Sequence, residues 1–369
     1  MLETSLSRIQ WTFRVLLMAM LGTWLLSNKV WMTERNFPVI PIFDGIPSLP
    51  SPVDYIFYSI LIVLAIYQII YLENRNTKIA LVVLLGFLMI GDQNRWQPYN
   101  VQYFLMISAL FFYPKFTDGI LNVFRMMVIV FFIFSGIQEI NTVFIESIFP
   151  WMIGPIASLF PASVEPNILG GGYIFPFLSI AAGVGLLFQQ TRDYAVYLGI
   201  LIHLFYFYAL SPMGNDWNHA ILPYNLCMAF FTYVLFFSAE FKLKDIFWSK
   251  TFRYQQAVVI IFAVLPLLSF FGIYDRMQSF NTYSGKSLYA KIYVTESLVE
   301  LLPDGVKRYV YRPQQGEPYI ETTYWSADAL KVSPYSEERV YKKLHEYVCS
   351  FSEGDCSARL EIYSYGGGH

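Results

Sequence analysis

Residues 119–139 read GILNVFRMMVIVFFIFSGIQE, a run that separates a membrane protein from a soluble one. At about 1.5 Å of rise per residue, a helix of this length crosses the roughly 30 Å hydrocarbon core of a bilayer. The run is apolar except at Asn122, Arg125 and the Gln138-Glu139 end. It predicts a transmembrane helix with two ionisable groups in or near hydrocarbon, where such groups are costly and need partners.

Working outward, eight further apolar runs have the same character, near 11–28, 54–72, 78–92, 99–114, 171–189, 193–211, 219–239 and 255–274. The composition agrees. Of 369 residues, 56% are hydrophobic and 14% charged, where a soluble domain carries about 25% charge. A net charge of -2 provides no basic surface, so nucleic acid is not a partner this chain calls for. Thr142–Phe160 is apolar but broken by Pro150 and Pro155, and reads as a re-entrant or interfacial element. The expected fold is mainly α: a polytopic transmembrane helical bundle of about nine spans with a small C-terminal extracytoplasmic α+β domain. The boundaries fall at 1–275 for the bundle, 276–365 for the domain and 366–369 for a linker or tag remnant.

Orientation follows from Lys and Arg. With the N-terminus cytoplasmic, the inner segments hold Arg8, Arg75, Lys78, Lys115, Arg192, Lys242, Lys244, Lys250 and Arg253, against Lys29, Arg35 and Arg95 outside. Nine spans then place the tail outside, which for a bacterial inner membrane is the periplasm. That tail is richer in charge, with eleven of the 25 Lys and Arg residues. It shows strand-like runs at 288–294, 306–312, 319–325 and 358–365, a Pro303-Asp304-Gly305 turn, and a helix capped by Ser336. Cys349 and Cys356 bracket a short turn and, in an oxidising compartment, form a disulfide worth roughly 2 kcal/mol. Cys227 lies within a span as a small core hydrophobe.

Polar residues in the wrong solvent are the candidates for function. They are Asp92, Arg95, Trp96 and Tyr99 between two short spans; Arg125, Gln138 and Glu139; His203, near Tyr206; and Asn215, Asp216, Asn218 and His219. Arg125 and Glu139 are about 21 Å apart along a helix and cannot pair with each other; Glu139 is within reach of Arg95 if the spans are neighbours, and Asp92 can pair with Arg95 locally. All but Arg125 fall towards the outer half, where they would line one cavity open to the outside. Against this stands the plainer reading: span ends are polar anyway, and ion pairing, capping and interfacial anchoring account for most such residues. Gly170-Gly171-Gly172 fits close helix packing better than anion binding. No metal-binding, nucleophile-elbow, phosphate-loop or dinucleotide motif is present. No metal site and no cofactor are expected, a quinone or lipid being the ligand class that fits.

The order of these clusters resembles a known family. Asp92-x-x-x-Trp96 ahead of a span containing Tyr103 is similar to the Asp-Lys-x-x-Trp-Asn-Asn-His-x-Tyr segment of vitamin K-dependent gamma-carboxylases. Those enzymes share the horizontally transferred transmembrane (HTTM) domain. Phe124-Arg125-Met126, followed by Phe132 and Ser135-Gly136-Ile137-Gln138-Glu139-Ile140, resembles the arginine-to-double-lysine segment of the same family. Gly170–Gly172 and the histidine span fit the same order, and the resemblance covers about residues 10–275. It implies a helical membrane domain that handles a reduced quinone and oxygen, with the family's essential lysine falling at Glu139 and its motif histidine at Tyr99. A carboxylate differs from an amine in charge and basicity, so carboxylation is not expected. The leading expectation is a non-carboxylating accessory subunit. It would bind a lipid, a quinone or a membrane or periplasmic protein partner. The alternative is a membrane enzyme with altered chemistry and Glu139 as general base.

Overall fold

The computed structural model describes residues 5–364, so the reading of Gly366–His369 as a tag remnant lies outside the described residues. The chain is mainly helical, with a small C-terminal sheet of four strands. Among the described residues, each of the nine apolar runs holds a helix. These helices are α1 (Ser5–Leu26), α2 (Val53–Ile70), α3 (Arg75–Ile90), α4 (Pro98–Ser108), α5 (Thr117–Glu139), α6 (Phe175–Gly185), α7 (Arg192–Leu210), α8 (Leu222–Phe236) and α9, which starts at Arg253 and continues through π and 3-10 turns to Phe271.

Six of these are long and apolar enough to cross a membrane: α1, α2, α5, α7, α8 with its preceding turn, and α9. A seventh results if Glu165–Tyr173 and α6, bent by 52° to one another, are counted as one span. The expected number was nine. The shortfall falls on the weaker runs: α3 has 16 residues, and α4 has 11 before the chain tightens into a 3-10 turn at Ala109–Phe112. The large apolar side chains left on the bundle surface, such as Ile56 at 53%, Val63 at 63% and Ile70 at 60% exposure on α2, are what lipid-facing helices present. The chain is read on these grounds as an integral membrane protein.

Contacts sort the helix ends into two groups. At one end, Gln10 of α1 donates to the Tyr113 hydroxyl (3.1 Å), Lys78 of α3 sits 5.2 Å from the Tyr113 ring, and Phe13 packs on Phe124. At the other, Tyr58 donates to Trp24 O (2.9 Å) and Arg95 to Trp31 O (3.1 Å). Both short helices α3 and α4 therefore connect the same two ends that α1 connects. Where α5 and α6 touch, the backbones come close. A Cβ on Gly136 would lie 2.5 Å from Pro176 O, and one on Gly183 would lie 2.7 Å from Ile133 Cγ1. Small residues permit that approach where no hydrophobic force drives helices together. Gly172 likewise packs on Ile145, in line with the packing reading of the glycine triplet. Phe144–Ala157 is a shorter apolar helix that does not reach spanning length.

The tail begins on the end that carries Trp31 and Arg95. Its sheet has order β2-β3-β1-β4, with β1 Leu288–Val294, β2 Val310–Tyr311, β3 Tyr319–Glu321 and β4 Ala358–Ser364, all neighbours antiparallel. Helices α10 (Glu296–Leu301), α11 (Thr322–Leu330) and α12 (Glu338–Cys349) complete it. The runs expected as strands at 306–312 and 319–325 are mostly not strands. Val306 belongs to a helical turn, and at Thr322 the chain becomes helix because the Glu321 carboxylate accepts from the Thr323 and Tyr324 amides (3.3 and 2.8 Å), which fixes an N-cap. Ser336 does not cap α12; its hydroxyl donates to Leu288 O (2.6 Å), and Glu337 holds the cap position. The Cys349–Cys356 disulfide is present.

Polar contacts dock the tail on the bundle. Trp325 Nε1 donates to Asn36 O (2.6 Å), Gln97 Nε2 to Ser333 O (2.9 Å) and Arg339 Nε to Gln93 Oε1 (2.7 Å). Arg339 also forms a forked pair with Asp275 (2.8 and 2.6 Å), whose second oxygen accepts from Tyr335 (2.7 Å). Burial by itself would push the Asp275 carboxyl up, but Arg339 and Tyr335 outweigh it and hold the group below the ordinary aspartate range.

Candidate functional site

Several of the polar residues singled out in the sequence turn out to be structural. Asp92 is fully buried and pairs with Arg35 (2.6 Å), not with Arg95, while accepting from the Ile40 and Asn94 amides (3.2 and 3.1 Å). Arg95 donates to the carbonyls of Val30, Leu88 and Trp31 (3.1, 2.6 and 3.1 Å) and does not meet Glu139. The three carbonyls are exposed where helices end, and one guanidinium satisfies all of them. Trp96 Nε1 donates to Met89 O (2.8 Å). Asn215 donates to Ala209 O (3.0 Å), closing the end of α7. Asp216 and His219 form an exposed pair (2.6 Å). Arg125 donates to Leu235 O (2.9 Å) and Asn122 (2.7 Å) and lies over the Phe241 ring, at the end remote from the tail.

Of the remaining residues, Tyr99 and Asn218 meet below the tail domain. A cavity of about 460 Å³ lies between bundle and domain, with Tyr99, Trp151, Trp217 and Asn218 on the bundle side and Tyr289, Thr323, Tyr324, Tyr341 and Tyr363 on the domain side. The segment that joins the two, Phe280–Ser287, supplies Thr282 and Tyr283. Phe280 and Tyr283 have φ of 64° and 63°. Bulky residues avoid that left-handed region at a cost of about 1–2 kcal/mol, and such outliers concentrate at functional sites. The turn they make puts Tyr283 between this cavity and a smaller one of about 50 Å³ beneath it, lined also by Tyr99, Gln102, Ser135, Tyr206, Tyr224 and Asn225.

The chemistry of the large cavity is legible in its lining. It carries one carboxylate, Glu321, already occupied as the cap of α11, and no basic side chain among the described residues. Four of the residues that line it each carry a buried polar atom without a hydrogen-bond partner among the described residues: Tyr99 Oη, Asn218 Oδ1, Thr282 Oγ1 and Thr323 Oγ1. Each such atom costs about 1–3 kcal/mol unless something hydrogen-bonds to it. Asn218 Nδ2 is committed to the Tyr283 hydroxyl (2.9 Å). Burial pushes the Tyr283 phenol up, against the pull of Asn218, so it stays neutral and keeps its hydrogen. Trp217 stands edge-on to both Trp151 and Tyr324, with ring centroids 6.1 and 6.2 Å apart.

Glu139 and His203 lie behind this site. Glu139 is 2% exposed; its Oε1 accepts a short hydrogen bond from Tyr206 and one from Ser135 (3.2 Å), and its Oε2 makes none. Tyr206 and Ser135 line the smaller cavity, and Glu139 sits one layer deeper. His203 stacks on Phe131 at 5.3 Å and shares 3.3 Å with Asn225 Oδ1. Asn225 Nδ2 is taken by Ile221 O (3.2 Å), so Oδ1 is the acceptor, His203 Nδ1 carries the hydrogen, and Nε2 is left without a partner. Gln138 faces a different crevice and donates to Ser279 O (3.1 Å).

Of the predicted cavity set, Tyr99 and Asn218 are in the large cavity, and Glu139 and His203 lie behind the small one. Missed were Thr282, Tyr283 and Thr323, together with the tail tyrosines. The signal was available in part: Asn281-Thr282-Tyr283-Ser284 is a polar, aromatic run between the last span and the first strand of the tail. No known family model matches the chain, nor does any curated protein or solved structure.

Proposed function

We propose that the chain is a membrane-embedded binding protein, an accessory subunit rather than a carboxylase, that holds the polar end of a neutral amphiphile under its tail domain. The observation that carries this is an aromatic cavity with, among the described residues, no cation to attract an anion, lined by four residues, Tyr99, Asn218, Thr282 and Thr323, that each hold a polar atom without a partner. Carbonyl or hydroxyl oxygens of a quinone or a neutral lipid headgroup would accept from the Tyr99, Thr282 and Thr323 hydroxyls, a ligand hydroxyl would donate to Asn218 Oδ1, and the rings would cover the apolar part. Kinship with the HTTM domain is part of the proposal and rests on the order of its motifs.

The reading includes nine traversals of the bacterial inner membrane with the tail in the periplasm. It is supported by α3 and α4 linking the same two ends as α1, by the excess of Lys and Arg at the end remote from the tail, and by a disulfide that suits an oxidising compartment. Single cysteines replacing Lys250 and Ser297, both exposed, test it with an impermeant thiol reagent on intact cells. The Ser297 position is expected to label and the Lys250 position is not; the opposite pattern sinks the topology.

The ligand is tested by purification in mild detergent and native mass spectrometry. A bound neutral species is expected on the wild-type chain and is lost in Thr323→Phe, which fills the cavity without touching the Glu321 cap. A bare chain from several neutral-lipid-rich preparations refutes the reading. The buried Glu139–Tyr206 pair favours a second reading, an enzyme with Glu139 as general base. In that case Glu139→Gln abolishes the cellular phenotype at unchanged protein abundance.

A further inference from the structure

Outside the large cavity, a second concavity of about 480 Å³ opens where the last membrane helix meets the tail. Its walls include Gln138, Asn141, Ser269, Arg276, Asn281 and Lys286. Two cations therefore share one crevice, and neither is in an ion pair among the described residues. The Lys286 ammonium has Gln138 Oε1 at 3.2 Å and the Phe270 ring at 5.9 Å. The Arg276 guanidinium has a single long bond to Lys286 O (3.4 Å). Nearby acids are committed elsewhere: Asp275 to Arg339, and Glu337 to the Arg276 and Met277 amides (2.6 and 3.5 Å). Burial lowers the Lys286 pKa, as expected of an ammonium desolvated without a counter-charge.

Apolar side chains lie beside it: Phe270, which lines the crevice, is 49% exposed, and Phe271 and Ile273, which flank the lining residue Gly272 in the chain, are 77% and 72% exposed. A helix long enough to span ends at the depth of lipid headgroups, so the cations sit at headgroup level with acyl-compatible surface beside them.

We propose that the Arg276–Lys286 crevice binds a phosphate group, that of an anionic phospholipid headgroup or the same group on a soluble molecule. The guanidinium would take two phosphate oxygens in a fork and the ammonium a third. Gln138 fixes Lys286 in place. This site is separate from the neutral-ligand cavity, and neither proposal depends on the other.

The experiment is calorimetric titration of the full chain in detergent with three probes: dioctanoyl phosphatidylglycerol, dioctanoylglycerol and inorganic phosphate. Phosphatidylglycerol is expected to bind, weaken with added salt, and weaken at least tenfold in Lys286→Gln and further in Arg276→Gln/Lys286→Gln. Lys286→Arg, which keeps the charge, is expected to stay within a few-fold of wild type. Inorganic phosphate binding as tightly as the lipid, with the same dependence on Lys286, supports the phosphate site and identifies a soluble source. Dioctanoylglycerol binding as tightly as phosphatidylglycerol overturns the proposal. So does unchanged phosphatidylglycerol affinity in a Lys286→Gln protein that melts like wild type.

Discussion

Replacing Arg339 with alanine should loosen the tail from the bundle. Arg339 is the residue through which Asp275, the last residue of the bundle, and Gln93, in the turn after α3, are tied to α12. The substitution removes three hydrogen bonds, two of them to a carboxylate, and leaves Asp275 with Tyr335 alone. Hydrogen bonds to charged groups contribute about 1.5–3 kcal/mol each when buried. The Arg339 side chain is 51% exposed and that of Asp275 27%, so solvent screening reduces the total to about 2 kcal/mol. At 1.4 kcal/mol per factor of ten, the undocked population rises about 30-fold. Hydrogen exchange of peptides covering 275–287 reads this, since the Arg276 amide, next to Asp275, donates to Glu337 at the start of α12 (2.6 Å) and should lose protection when α12 moves away. Acid should act through the same group. The folded Asp275 pKa lies below its unfolded value, so its contribution is complete above about pH 4 and disappears as the pH falls through the folded value. Exchange corrected for its intrinsic rate should therefore accelerate below about pH 4 in wild type, and not in Asp275→Asn. An Arg339→Ala protein with wild-type exchange, or an Asp275→Asn protein that keeps the acid response, refutes the reasoning.

Three further outcomes are expected. Glu139→Gln keeps an acceptor for the Tyr206 and Ser135 hydroxyls and should melt within about 1 kcal/mol of wild type, whereas Glu139→Leu strands both and should cost about 1–3 kcal/mol per buried hydroxyl, read by thermal unfolding in detergent. Gly136→Val should lose about 1–3 kcal/mol or fail to accumulate, because even its Cβ would meet Pro176 O at 2.5 Å; normal yield and melting would contradict the close α5–α6 packing. Cys349→Ser, or reduction of the wild type, should lower the stability of the tail by about 2 kcal/mol, followed by circular dichroism of the sheet signal, and leave the bundle unchanged.

The sequence by itself determined where the helices lie. Each of the nine apolar runs is helical among the described residues, and for the six long and apolar enough to span, the reason is that in hydrocarbon a backbone must satisfy its own hydrogen bonds within the segment. It also fixed the change of character near residue 275, strands β1 and β4, helix α12 and the disulfide. Tertiary structure decided which polar residues matter. Asp92, Arg95 and Glu139 look alike in a sequence, as charges near span ends. Yet Arg95 is spent on three backbone carbonyls and Asp92 on Arg35, while Glu139 keeps an oxygen without a partner. Such commitments depend on loops tens of residues away, which no local pattern encodes. The strand-to-helix change at Thr322 was hidden for a similar reason: the run is β-prone, and a carboxylate cap on two amides overrides it. The cavity itself exists only because the tail folds back over the bundle, bringing Thr323 to Tyr99 and Asn218 across more than a hundred residues of chain. Apolar length is a local property and can be read along the chain; an unsatisfied hydrogen bond is a property of everything that surrounds it in space.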